Sequence, residues 1–511
     1  MKVFKHVKLM LVLGGIILFN SCSDNLNEAS LHELSTMSSV VSPVIDVSTV
    51  AEVNNAVMTL SSGQTLSLAP GEYKDLQLVV TNSGTADNPI VIKSSLIGQA
   101  AITGNCKVEL KGEHIILEGF LFRDGARLNG EWSSHGPGLI AIYGSHNRVT
   151  QCVIDNFNDV TSAYLTTSLA ADGSVPQYCR IDHCSFMNKT TNDQVVNLNN
   201  TAKKSTVGDP GIPMYHRLDH CYFYNPFKKS GNAGGGVRIG YWRKDYGRCL
   251  VDSNLFVAQN SEPEIITSKS MENVIYGNTF NNCEGTMNFR HGDHQVMIHN
   301  FFISYDSSKD CGGAFIWGSG HLIAGNYFQL AKTMKSRGYA ALYLNSGAKA
   351  SEHALAYDMT IANNYFANNN GYAVELQGLK DRRVLWCADN GLTYEDPYDL
   401  RFTGNVFANK SFSYDFFHTD TSTGSIGTFN NDRFTGANLG ITERTGMDQT
   451  PFTVAKDPTT GYYSLPTGYA PSTVSYPNIT GIDLDLSLLA SQGIVSRPVK
   501  QSDTGASWYS K

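Results

Sequence analysis

The sequence predicts an all-β chain folded as a single-domain right-handed parallel β-helix, plugged at its N-terminal end by a short capping helix. Three observations carry that expectation. A small or amide residue, any residue, then Phe recurs as Cys184-Ser-Phe186, Cys221-Tyr-Phe223, Asn254-Leu-Phe256, Asn278-Thr-Phe280, Asn300-Phe-Phe302, Asn326-Tyr-Phe328, Asn364-Tyr-Phe366 and Asn405-Val-Phe407. These Phe residues follow one another at steps of 22 to 41 residues, and Cys152-Val-Ile154 and the Phe122 region extend the series upstream. Between them lie β-rich runs, such as Val274-Ile-Tyr276 and His321-Leu-Ile323, separated by Gly and Asn turns. No single unit can bury its own apolar face, but stacked units share one core.

Steps of 22 to 26 residues suit one bare three-sided coil, and the longer steps add loops. Phe is expected to stack on Phe inside, with the recurring Asn at an inward corner as an amide ladder. A leucine-rich horseshoe would need a Leu pattern and a propeller a longer regular period, and neither is present. Thr49-Val-Ala-Glu52 reads as a capping box that opens an amphipathic helix running to Leu60. Ala69-Pro-Gly-Glu-Tyr73 and Asn88-Pro-Ile-Val-Ile92 then start the first coils, and the pattern fades beyond about residue 440.

The N-terminus reads as a processing signal. Lys2, Lys5 and Lys8 precede an apolar run from Leu9 to Phe19, too short to span a bilayer. Leu18-Phe-Asn-Ser-Cys22 resembles a bacterial lipoprotein cleavage site, which makes residues 1–22 a signal with a lipidation Cys. Residues 23–45 are Ser-rich and polar and read as a tether, and 46–511 form the solenoid. The expected location is exported: lipid-anchored in the bacterial outer membrane or facing the periplasm, with the anchor as the sole membrane contact.

Composition narrows the function classes. The 511 residues are 41% hydrophobic, with Gly 47, Tyr 25 and Phe 24, as a turn-rich β protein needs. A formal net charge of −7 and no Lys/Arg-rich tail argue against nucleic acid, so an anionic ligand needs a local basic cluster. Ten cysteines leave nine after Cys22, an odd number without paired short spacings, so buried thiols are expected rather than a disulfide framework or a zinc site.

Strand alternation suggests where such a cluster lies. Gly236-Val-Arg-Ile-Gly240 points Arg238 outward, and Met287-Asn-Phe-Arg290 points Arg290 outward. Glu262-Pro-Glu264 puts two carboxylates on one face, and equal spacing predicts that Arg238, Glu264 and Arg290 stack on successive coils. Phe315, Trp317, Tyr343 and Glu375 continue an outward column, with Trp317 and Tyr343 as rings exposed for sugar faces. A groove of charges and rings fits an anionic polysaccharide, Arg pairing with carboxylates.

Three segments carry a resemblance to polysaccharide lyase family 6, which holds alginate lyases and chondroitinase B. They are Asn232-Ala-Gly-Gly-Gly-Val-Arg-Ile-Gly240, Glu262-Pro-Glu-Ile-Ile-Thr-Ser-Lys-Ser270 and Arg290-His-Gly292. Weaker similarity runs from Gly71 to Ala506-Ser-Trp508. The resemblance implies Lys269 as base, Arg290 as second catalytic residue, Asn232, Glu262 and Glu264 as Ca²⁺ ligands, and Arg238 and His291 on the substrate side. Two departures are Gly235, where the family often has Glu, and Phe315, where it often has Arg. The implied activity is cleavage of alginate by β-elimination at a uronic acid, with dermatan sulfate as the alternative substrate.

The chemistry matches those residue types. The C5 proton of a uronate is poorly acidic until the neighbouring carboxylate is neutralised, a task for Ca²⁺ on oxygen ligands. A lysine serves as base only when neutral, and a nearby guanidinium lowers its pKa. Each residue has a plainer role available: Lys269 as a surface lysine, Arg290 as a partner of Glu264, the two acids as partners of Arg238, Asn232 as a turn residue. Two rival functions remain at this level. A β-helix hydrolase would need closely paired aspartates, and a non-catalytic glycan-binding lipoprotein would not need Lys269.

Overall fold

Short runs rich in Val, Ile, Leu and Phe, most of three to six residues and broken by tight turns, build the coils. A computed structural model describes residues 43–128, 136–158, 163–199, 211–226, 234–419, 427–474, 479, 481–482, 484 and 497–509. The signal, Cys22 and nearly all of the expected tether lie outside the described residues, as does Asn232. The first strand, Val44–Val47, begins inside the stretch expected to be tether.

Each coil contributes three strands, as in Leu250–Asp252, Leu255–Val257 and Glu264–Ser268, followed by Val274–Tyr276, Thr279–Asn281 and Thr286–Phe289. Every strand pairs in parallel with its counterpart one coil away. The first strands form a sheet of 14, and the second and third sheets are joined through the long strand Ala100–Leu110. This is the expected right-handed parallel β-helix. The turn after the second strand takes a left-handed residue, most often Asn (Asn156, Asn188, Asn225, Asn282, Asn368), the side chain that best tolerates that backbone.

Two ladders hold the stack. Phe186, Phe223, Phe256, Phe280, Phe302, Phe328, Phe366, Phe407 and Phe434 stack with ring centroids 4.5 to 5.2 Å apart. Each aromatic pair adds about 0.5–1.5 kcal/mol beyond its burial. Beside them Asn254, Asn278, Asn300, Asn326, Asn364 and Asn405 are fully buried. Each Nδ2 donates to the next Oδ1 at 2.9 to 3.0 Å, ending on Asp432 Oδ1 at 2.8 Å. Each amide also accepts from the previous corner's N–H and donates to a carbonyl, so no polar group is stranded. The nine described cysteines are all free and buried, with Cys184 and Cys221 at the ladder's upstream positions.

Helix α1 (Val50–Val57) has the capping box Thr49/Glu52 and buries Val53 and Val57 against the first coil. The chain beyond the last strand, Met447–Asp448, turns back along the outside of the solenoid. There Phe452, Val454, Tyr462 and Tyr463 pack on Phe301, Tyr327, Tyr365 and Val406. Further on, Val499, Trp508 and Tyr509 pack on Val153, Tyr222 and Leu255. A second helix, α2 (Lys380–Asp389), is inserted between the third strand of one coil, Tyr372–Gly378, and the first of the next.

Candidate active site

The site grows from the ends of neighbouring third strands. Ser268 pairs with Phe289, so the next residues, Lys269 and Arg290, leave the sheet side by side, one rung of about 4.8 Å apart. Lys269 N donates to Ile239 O and Arg290 N to Ser268 O, which fixes both backbones. A bulge between Glu264 and Ile266 turns the Glu264 side chain toward the same patch. Arg290 Nη1 reaches both Glu264 oxygens at 2.8 and 2.7 Å, and Thr267 Oγ1 donates to Oε2 at 3.0 Å.

Electrostatics distinguish these groups. Burial, then the charges of Arg290 and Arg238, pull the Lys269 ammonium down to about 8, against the opposing carboxylates of Glu264 and Glu262. Its Nζ lies 4.9 Å from the ring centroid of Tyr241. Burial would raise Glu264, but Arg290 and Arg337 outweigh it and hold the carboxylate below its ordinary range. Glu262 goes the other way: burial and the Glu264 charge push it up to about 8. His353 accepts from Arg290 Nε at 3.2 Å through Nε2. Burial and the Arg290 charge lower it to about 3, so it is a neutral acceptor at neutral pH. His291, its ring 4.7 Å from that of His353, is likewise kept neutral by burial and its charged neighbours.

The predicted vertical stack of Arg238, Glu264 and Arg290 is not formed. Arg238 pairs in register with Thr267, then come Asn288, Phe315, Tyr343 and Glu375, while Glu264 pairs with Thr286. Residue spacing misled because successive coils differ in length: Arg238 to its partner Thr267 is 29 residues, and Thr267 to its partner Asn288 is 21. Arg238 is 4% exposed, donates to Asn199 Oδ1 at 3.0 Å and lies 5.3 Å from the Tyr241 ring.

The outward rings are also not exposed. Phe315 and Tyr343 have no accessible surface and Trp317 is 5% exposed. Outward from the sheet is not outward to solvent, because loops of the longer coils fold over this column. Tyr343 accepts from Ala340 N and donates to Met334 O, so its hydroxyl is spent within the chain. Trp317 keeps an edge on the cleft, with its ring 4.9 Å from that of His353.

For calcium the fit rests on Glu262 and Glu264. Glu262, whose ionisation is suppressed by burial and by the Glu264 charge, is a donor that a divalent cation would relieve, beside a Glu264 already held ionised by Arg290 and Arg337. No group of three His, Cys, Asp or Glu suited to a metal occurs among the described residues, so other oxygens would have to complete the shell. Gly235 has φ +128, and a Cβ there would approach Glu262 Oε1 within 2.9 Å; this backbone is built for glycine, which explains that departure.

Sequence reasoning missed Arg337 and His353. Arg337 comes from the 3₁₀ turn Lys335–Arg337, lies 4.1 Å from the Phe315 ring centroid and is 3.6 Å from Glu264 Oε1. A guanidinium thus covers the ring at the second departure, delivered from the following loop. His353 sits in the loop after Asn345. The one available signal was the long step from Phe328 to Phe366, which announced loops without showing where they fold. Together with residues of α2 these groups line a cleft of about 390 Å³.

Fold and site define a class: a parallel β-helix protein with a cation-rich cleft on the flank of its third sheet. Within that class, a family model described as Chondroitinase B matches residues 47–485, and the chain belongs to that family. Among solved structures, the PL6 family alginate lyase AlyGC superposes with a TM-score of 0.69 at 21% identity, covering 92% of this chain and 59% of that one. This chain therefore spans little more than half of that relative. A mannuronic acid specific polysaccharide family 6 lyase from human gut microbiota gives 0.62 at 24% identity, covering 76% and 86%. A PL6 alginate lyase in complex with a trisaccharide gives 0.61 at 16% identity, covering 90% and 97%. At these identities the likeness establishes the shared fold. No curated protein matches the chain significantly.

Proposed function

We propose that the chain is a polysaccharide lyase that cleaves alginate by β-elimination at a uronic acid and leaves an unsaturated sugar. The observation that carries this reading is the pairing of Lys269 and Arg290 at adjacent strand ends, with Arg290, Glu264 and Arg337 lining an open cleft. Lys269, pulled down to about 8, has a neutral fraction at mildly alkaline pH that can accept the C5 proton. The electron pair of that C–H bond becomes the C4–C5 double bond, and the C4–O bond breaks. A guanidinium does not give up its proton in this pH range, so Arg290 stabilises the developing charge by hydrogen bonds, and the departing oxygen takes its proton from water. Arg337 and Arg238 supply further positive charge for the substrate carboxylates, and neutral His291 and His353 can share hydrogen bonds without adding charge. Bound at Glu262 and Glu264, with Asn232 as a third ligand by the family resemblance, Ca²⁺ would neutralise the uronate carboxylate and so acidify C5.

Dermatan sulfate is the second substrate, supported by the name of the matching family. Mixing the protein with each polymer and following absorbance near 232 nm, at about the wavelength of the conjugated product, separates the readings. Growth with alginate supports the proposal; growth only with dermatan sulfate moves it to the second substrate; none with either leaves a glycan-binding protein. Export and lipidation at Cys22 are part of the same proposal. They rest on residues 1–22 and are tested by mass spectrometry of the mature N-terminus.

A further inference from the structure

Resting on the lyase reading, we propose that Arg243 is a positioning residue: it clamps the loop 346–356 across the catalytic patch and so holds His353 on Arg290. Arg243 belongs to the loop after the strand Val237–Ile239, one coil before Lys269. Its side chain is 14% exposed and joins parts of the chain that are far apart in sequence. Nη1 donates to the carbonyl of Lys349 at 2.6 Å and to that of Ser351 at 2.9 Å. Nη2 donates to the two oxygens of Asp293 at 3.3 and 3.2 Å. Asp293 follows Arg290 by three residues and is itself fixed, accepting from Ser319 N at 2.9 Å and Ser319 Oγ at 3.0 Å. The backbone N of Arg243 also donates to Glu352 Oε2 at 3.4 Å.

The loop offers little else to hold at this point. Apart from Lys349, the run Ser346-Gly-Ala-Lys-Ala-Ser351 has no side chain larger than a methyl or hydroxymethyl, so its backbone carbonyls are the groups to grip. A guanidinium suits them, being planar, always charged and a donor at several points of one fork. Two residues beyond the gripped Ser351 carbonyl, His353 N donates to Ser351 Oγ at 3.1 Å. His353 Nε2 in turn accepts from Arg290 Nε at 3.2 Å. Arg290 is thus held at two nitrogens, Nη1 by Glu264 and Nε by His353, and among the described residues no acceptor holds Nη2. Nη2 is the donor left for the charge that develops on the substrate, and its direction depends on both holds. Arg383 also grips this loop, donating to Ser351 Oγ and His353 O, both at 3.2 Å. Loss of Arg243 therefore shifts the loop without releasing it, and misplacement of a reacting group by about 1 Å is enough to cost about a hundredfold in rate.

The test is a double-mutant cycle in steady-state kinetics of the full chain on alginate. Arg243→Ala and His353→Ala should each lower kcat about tenfold with KM within about twofold, and together cost little more than either alone, because both remove the same hold on Arg290. Arg243→Lys, which reaches fewer of the acceptors, should recover part of the loss. If Arg243→Ala does not fold, Arg243→Lys and Asp293→Asn carry the same cycle with smaller losses. Losses that multiply to about a hundredfold in the double variant would show that Arg243 does not act through His353, and a loss in KM alone would make it a binding group; either overturns the proposal. Hydrogen exchange separates the clamp from the lyase reading. In Arg243→Ala the amides of residues 346–356 should exchange about tenfold faster while those of the sheet strands keep their rates. Unchanged exchange in that loop overturns the clamp whatever the activity. A wild-type chain that cleaves neither alginate nor dermatan sulfate overturns the lyase reading instead, and exchange then decides the clamp by itself.

Discussion

On the second sheet the outward residues Phe301, Tyr327, Tyr365 and Val406 lie beneath Phe452, Val454, Tyr462 and Tyr463 of the returning C-terminal segment. On the third sheet, strands of two earlier coils end in Lys269 and Arg290, and the chain leaves a cleft lined by Arg290, Glu264 and Arg337. Both flanks belong to the same repeat and face away from the same core. One is apolar and is finished by more of its own chain. The other carries half-buried charges whose desolvation is only partly repaid by Glu264, and that shortfall is what moves Lys269 down to about 8. Covering a flank gives stability; leaving one incompletely satisfied gives reactivity.

The comparison breaks most decisively at Lys269. Lys269→Ala is expected to reduce the rate of absorbance increase on alginate by about 10³-fold, as loss of a general base does, with the fold unchanged by circular dichroism. Retained turnover would remove the base and with it the chemical role of the open flank. Inside the stack the expected effect is on stability. Asn326→Leu removes the acceptor of Asn300 Nδ2 and the donor to Asn364 Oδ1 in the ladder and should cost about 2–4 kcal/mol in denaturant melts. A loss below about 0.5 kcal/mol would mean that the amides are not holding the coils together.

The pH profile sharpens the same contrast. Below about 8 Lys269 is mostly charged, and a charged lysine cannot take a proton. The kcat/KM on alginate should therefore climb about tenfold per pH unit up to that region and level off above it, and bound Ca²⁺ would shift the bend lower by adding positive charge. A profile flat from pH 6 to pH 9, over a range of about three units, would contradict it. The smallest effect belongs to the covered flank. Tyr463→Ala removes a part-buried ring and the bond its hydroxyl accepts from Asn368 Nδ2 at 3.0 Å, and should cost about 1–2 kcal/mol without changing the rate. A rate change of more than about twofold would show that the two flanks are coupled.

Much of this protein is written in local pattern. The Asn-x-Phe repeat was enough for the coil and the inward ladders, because stacked identical positions depend only on sequence spacing and side-chain type, and the Thr49/Glu52 box was enough for the capping helix. Lys269 and Arg290 were picked out by the family resemblance, and the strand register then sets them side by side at the ends of neighbouring coils. What spacing could not supply is what the loops do. Unequal coil lengths broke the predicted charge column, the 3₁₀ turn brought Arg337 onto Phe315, the loop after Asn345 brought His353 onto Arg290, and the returning C-terminus buried a flank that alternation alone marks as outward. The repeat is a one-dimensional property and the chain states it outright; the cover over each flank is a long-range contact between segments tens to hundreds of residues apart, and only the folded chain decides it.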